Sequence, residues 1–141
     1  MIIFKKLPIY HIKIALIITE KTDILKQHFT KESLDRTGIL DKDELYSHTL
    51  WVDKDGDIVL SMLFNFNTET NITLGTIVHE AIHIKNMLFL YLGINNDLEN
   101  DEPEAYLIEY ITDWIIDNLK EQEYIRLKIK TKEDNIDKNK A

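Results

Sequence analysis

His79, Glu80 and His83 stand in the pattern HExxH, His79-Glu80-Ala81-Ile82-His83. On a helix, residues four apart lie one turn apart on the same face, so two imidazoles at this spacing can share one ion. Zinc accepts imidazole nitrogen readily, and a catalytic zinc keeps three protein ligands and leaves a fourth position to water. The metal lowers the pKa of that water from about 15.7 to about 7, which removes the need for a serine or cysteine nucleophile. Glu80, beside His79 on the helix, is placed to take the water's proton without ligating the ion and to hand it to the leaving group. The ordinary alternative is two histidines on a partly buried helix. Against it stands the cost of burying two histidines and a glutamate in an apolar helix without a partner.

A third ligand must come from elsewhere, and it must be His, Asp or Glu, because the chain has no cysteine. Downstream lie Asp101, Glu102 and Glu104, with Glu109 about two turns further on. Asp101 and Glu104 have the spacing of a capping box at a helix start, and acids in a first turn are favoured by the macrodipole. That leaves Glu102 as the expected ligand, with Glu104 and Glu109 as alternatives. By the helical period Glu102, Ala105, Tyr106 and Glu109 share a face, so Tyr106 is a candidate donor to a developing oxyanion and also an ordinary core tyrosine. Glu109 or Asp113 could orient a zinc-bound histidine.

These residues need two helices and something to hold them. Residues 71–92 place Leu74, Val78, Ala81, Ile82 and Ile84 in a largely buried helix that Gly93 should stop. A polar loop then leads to Asp101 as N-cap and Pro103 in the first turn of a second helix running to about residue 121. Its inward stripe is Ala105, Ile108, Ile111, Ile115 and Leu119. Upstream, residues 9–19 are isoleucine-rich and read as a strand, and residues 22–31 as a short helix. The charged stretch 31–46, with Gly38, reads as loop, or as a weak helical turn around residues 41–46. Residues 48–52 and 57–66 flank the turn Asp53-Lys54-Asp55-Gly56 and read as a β-hairpin. Asp53, Asp55 and Asp57 look like part of a calcium loop, but the glycine is misplaced and the distal glutamate is missing, so a hairpin turn explains them better. His11, His28 and His48 stand alone and are expected to be non-ligating.

The expected fold class is α+β. At 141 residues the chain suits one domain, taken as residues 1–124, with a polar tail at 125–141 too poor in apolar residues to order itself. A net charge of −8 disfavours a nucleic-acid partner. The longest apolar run near the start, residues 14–18, is far too short for a membrane span, and the chain is expected to be cytoplasmic. Oligomeric state is not legible.

The segments VHEAIHIKNMLF and GINNDLENDEPEAYLIEYITDWI resemble the small phage and prophage metallopeptidase-like proteins, related in pattern to the ImmA/IrrE-type gluzincins. The resemblance spans residues 72–119, about a third of the chain. It implies a third ligand from an E-x-x-A-N-like motif on the second helix. Here Glu102-Pro103-Glu104-Ala105-Tyr106 carries that frame with tyrosine in the last place, which favours Glu102 over Glu104. It also implies a minimal zincin-like fold, a small β-sheet packed on the HExxH helix and the ligand-bearing helix. The implied activity is Zn2+-dependent hydrolysis of a peptide or protein substrate, in the host cytoplasm if the chain is phage-encoded. The substrate would lie along an edge strand by β-augmentation, with residues 57–66 as the candidate edge. Two rival readings are a catalytically silent zincin-like binding protein and a metal-free structural protein.

Overall fold

Two strands rich in branched apolar residues form the centre of the sheet because both of their faces are covered. They are β2 (Lys13–Thr19), buried from Ile14 to Ile18, and β4 (Ile58–Asn65). They run parallel, Lys13 opposite Val59 through Thr19 opposite Asn65. Antiparallel β1 (Ile2–Lys6) flanks β2 and antiparallel β3 (Tyr46–Val52) flanks β4, giving the order β1-β2-β4-β3. The computed structural model describes residues 1–41, 46–65 and 72–121, without the side chains of residues 46–48 and 65. The expected tail at 125–141, the His48 side chain and residue 66 lie outside the described residues.

The period of two along the strands sends alternate side chains to opposite faces. Ile14, Leu16 and Ile18 with Leu60, Met62 and Phe64 face α3 (Leu74–Leu92) and α4 (Glu102–Glu121), meeting Ile77, Ala81, Ile84 and Leu88 of the first helix and Leu107, Ile111, Ile115 and Leu119 of the second. The other face carries Ala15, Ile17, Val59, Leu63 and Trp51, covered by Leu25 of α1 (Leu25–His28), Phe29, Leu34 of α2 (Lys31–Thr37) and Ile39. Trp51 lies 4.9 Å from the Phe29 ring, and its indole N–H donates to Thr37 Oγ1 at 3.1 Å, so the polar end of a fully buried side chain is satisfied. The chain is therefore α+β, with helices on both faces of a mixed sheet. Among the described residues no helix is long and apolar enough to cross a membrane.

Several sequence expectations need correction. The strand expected over 9–19 begins only at Lys13. Leu7 to Ile12 form a tight turn in which Leu7 and Ile12 are hydrogen-bonded and His11 takes a left-handed φ of 53°. The loop expected over 31–46 contains α2, whose charges at Lys31, Glu32, Asp35 and Arg36 occupy the solvent side while Ser33 and Leu34 turn inward. One buried leucine gives no periodicity to read. The candidate edge strand at 57–66 is central, because β2 pairs with its other side; among the described residues the edges are β1 and β3.

Candidate functional site

Helix α3 starts at Thr73, whose side-chain oxygen accepts from the Thr76 N–H at 3.1 Å. It ends at Gly93, φ 69°, where the Gly93 and Ile94 N–H groups donate back to Leu90 and Phe89. With both ends fixed, the helix presents His79 and His83 on one face. Their Nε2 atoms are 3.0 Å apart and their ring planes meet at 77°. In a tetrahedral zinc site with Zn–N of about 2.05 Å, two nitrogen ligands stand about 3.3 Å apart. The two ring nitrogens thus stand at hydrogen-bond distance from one another, close to the separation that two ligands of one zinc would need. Glu80 is buried, 7% exposed, on the flank of the helix between the histidine face and the core.

The third acid is another matter. Leu107, Ile111, Ile115 and Leu119 face the sheet, so Glu102, Tyr106, Glu109 and Asp113, spaced by four, three and four, form the opposite, solvent-facing stripe of α4. Likewise the inward residues of α3 are Ile77, Ala81, Ile84 and Leu88, and the histidine pair points away from them. Among the described residues no three His, Asp or Glu side chains gather closely enough to hold one ion. His79 and His83 therefore come together as the sequence implies, while Glu102 and Glu109 do not join them. Tyr106 is not the core residue of the ordinary reading, being 65% exposed. It lines a groove with Pro8, Ile9, Tyr10, Pro103 and Tyr110 that includes none of His79, Glu80 or His83.

Glu104 has a different task from the capping box expected of it. Its Oε2 accepts from Lys85 Nζ at 3.3 Å and its Oε1 from the Asp97 N–H at 3.2 Å. Lys85 is itself buried on α3, with Asn96 Oδ1 also at 3.3 Å and the Phe89 ring centroid 5.3 Å from its ammonium. This clasp ties α3, the α3–α4 loop and the first turn of α4 together, and it withdraws Glu104 from any metal. The sequence held the signal: Lys85 falls on the inward stripe, four after Ala81 and three before Leu88. A buried ammonium requires a partner.

In the turn between β3 and β4, Asp53 Oδ1 accepts from the Asp55 and Asp57 N–H groups, each at 2.9 Å, and Lys13 Nζ bridges Asp53 and Asp57 at 2.7 and 2.6 Å. The aspartates serve a hairpin turn, as the sequence indicates, and Gly56 supplies its positive φ of 87°. Burial alone would raise the Asp53 carboxyl, but the hydrogen bonds from Lys13 and the turn outweigh it and hold the group below its ordinary range. The same hydrogen bonds to Asp53 and Asp57 push Lys13 upward.

The chain matches no protein-family model, no curated protein and no solved structure.

Proposed function

We propose that this chain is a zinc-dependent metallopeptidase-like hydrolase in which His79 and His83 hold the ion. The observation that carries the reading is the convergence of the two Nε2 atoms at 3.0 Å on an HExxH helix. Zinc bound there would supply a water acidic enough to lose a proton near neutral pH. With zinc bound, Glu80, held by the helix next to His79, would be the residue to accept that proton and return it to the leaving amine. Glu102, the third ligand expected from the sequence, does not join the pair in this structure and would complete the site only by a movement of the first turn of α4. Among the described residues its carboxylate has no hydrogen bond or ion pair, whereas that of Glu104 is spent on Lys85. The proposed substrate is an extended peptide lying along β3, the edge strand nearer to α3, by main-chain pairing. A net charge of −8 argues against a nucleic-acid substrate.

A second reading, a zincin-like binding protein without turnover, is favoured by the lack of a gathered third acid among the described residues. Metal analysis and peptide turnover on the untagged chain separate the two. One zinc per chain, lost in His83→Ala and weakened in Glu102→Ala, with turnover abolished by Glu80→Gln, supports the hydrolase. Stoichiometric zinc without cleavage of any peptide in a broad library supports the binding protein. No bound metal after zinc is supplied refutes both.

A further inference from the structure

The outward face of α4 and the β1–β2 turn enclose an apolar groove of about 260 Å³, lined by Pro8, Ile9, Tyr10, Pro103, Tyr106 and Tyr110. Its walls are unusually open for such side chains: Ile9 is 81% and Tyr106 65% exposed. Apolar surface of this kind, rimmed by charge, marks a contact site. Along α4 the rim is of one sign, while the exposed Lys5 and Lys6 precede the other wall. Glu102, Glu109, Asp113 and Asp117 are all exposed along α4, and from Asn86 to Leu119 the sequence contains no lysine or arginine.

The complement to this surface lies in the same chain. Residues 125–132 read Ile-Arg-Leu-Lys-Ile-Lys-Thr-Lys, three apolar residues and a threonine alternating with four cations. We propose that the groove beside α4 is a docking surface for this segment of its own chain. The reach agrees. Tyr110 and Tyr106 lie about 16 and 22 Å back along the helix from Glu121, at 1.5 Å per residue. A chain returning along α4 at about 3.3 Å per residue covers those distances in about five and seven residues. That sets the stretch around Ile125, Leu127 and Ile129 level with the two tyrosines. Leu127 and its neighbours fill the groove, and the long stems of Arg126, Lys128 and Lys130 carry their charges to the carboxylates along α4. So docked, the segment covers the face that bears Glu102 and Tyr106. The docking itself depends on neither zinc nor catalysis.

Because the chain has no cysteine, a pair of introduced thiols reports the contact without background. Ile9→Cys is combined in turn with Ile125→Cys, Leu127→Cys and Ile129→Cys in the full-length chain, and disulfide formation under mild oxidation is followed by non-reducing electrophoresis and intact mass. Ile82→Cys, exposed on α3, serves as the control anchor with the same three partners. At least one Ile9 pair should close within the monomer ten-fold or more faster than any control pair. Asp113→Lys/Asp117→Lys, or salt raised from 0.1 to 1 M, should remove most of that advantage. Closure at the control rate in all three pairs overturns the proposal. Disulfide-linked dimers in place of closed monomers overturn it in favour of a second copy as occupant, and an advantage untouched by charge reversal and salt overturns the electrostatic basis.

Discussion

Replacing Glu104 should damage the fold more than replacing the lysine it holds. The pair stands at 3.3 Å, with the Lys85 side chain 6% and the Glu104 side chain 17% exposed. At an effective dielectric of about 20, Coulomb attraction at that separation is about 5 kcal/mol, most of it offset by stripping water from both ends. In Glu104→Ala the ammonium stays buried with Asn96 Oδ1 as its remaining acceptor, and the Asp97 N–H loses its carboxylate. The expected loss is about 3 kcal/mol, at the low end for breaking a buried pair because the carboxylate side is partly open. Lys85→Met keeps the packing on Phe89 and leaves a carboxylate that water can reach, so it should cost about 1 kcal/mol. Lys85→Met/Glu104→Leu, which buries no charge, should lie near the Lys85→Met value. Urea unfolding followed through buried Trp51 measures all three. A Glu104→Ala loss below about 1 kcal/mol, or one smaller than that of Lys85→Met, would refute the account of the clasp.

Asp53→Asn should cost about 1 kcal/mol at neutral pH, because Lys13 keeps Asp57 as a partner. The carboxyl sits below its ordinary value of 3.8, so its contribution is full above that pH and fades as pH falls through the folded value. The gap between wild type and Asp53→Asn in a pH series of thermal melts should therefore close below about pH 4, and a constant gap would contradict the assignment. His11→Gly should be neutral or stabilising by up to about 1 kcal/mol, since the exposed histidine has a φ of 53°, while His11→Val should destabilise by at least as much, both read by Tm. Added zinc should raise the Tm of the wild type and of Glu104→Ala but not of His79→Ala/His83→Ala; equal shifts in all three would place the ion elsewhere.

Legibility in the sequence followed the strength of each local signal. Helices α3 and α4 were readable because their apolar residues recur over four or more turns and their ends carry Gly93 and Asp101. The β3–β4 hairpin was readable because its turn residues sit between two β-rich runs. Strand β1 was missed: two isoleucines, a phenylalanine and two lysines show no alternation, and only pairing with β2 makes them a strand. The central place of β4 was hidden as well, since a parallel neighbour lies far away in sequence and no local pattern announces it. At the site, the four-residue spacing of His79 and His83 fixed their convergence, because one helix carries both. Glu102 and Glu104 differ by two residues, hence by about 200° around α4. Glu104, three before Leu107 and seven before Ile111, falls on the inward stripe of α4, and Lys85 on that of α3; only their partnership is a contact between helices that neither segment announces alone.

The parallel pairing of β2 with β4 also governs the order of assembly. Lys13 meets Val59 about 46 residues later, so the middle of the sheet closes only after α1, α2 and β3 have been brought into the intervening loop. Helix α3 follows at once in the chain and has no apolar floor until that closure occurs. Folding should therefore be limited by one long-range event, and truncating Leu16 or Met62, which face each other there, should slow refolding more than it speeds unfolding.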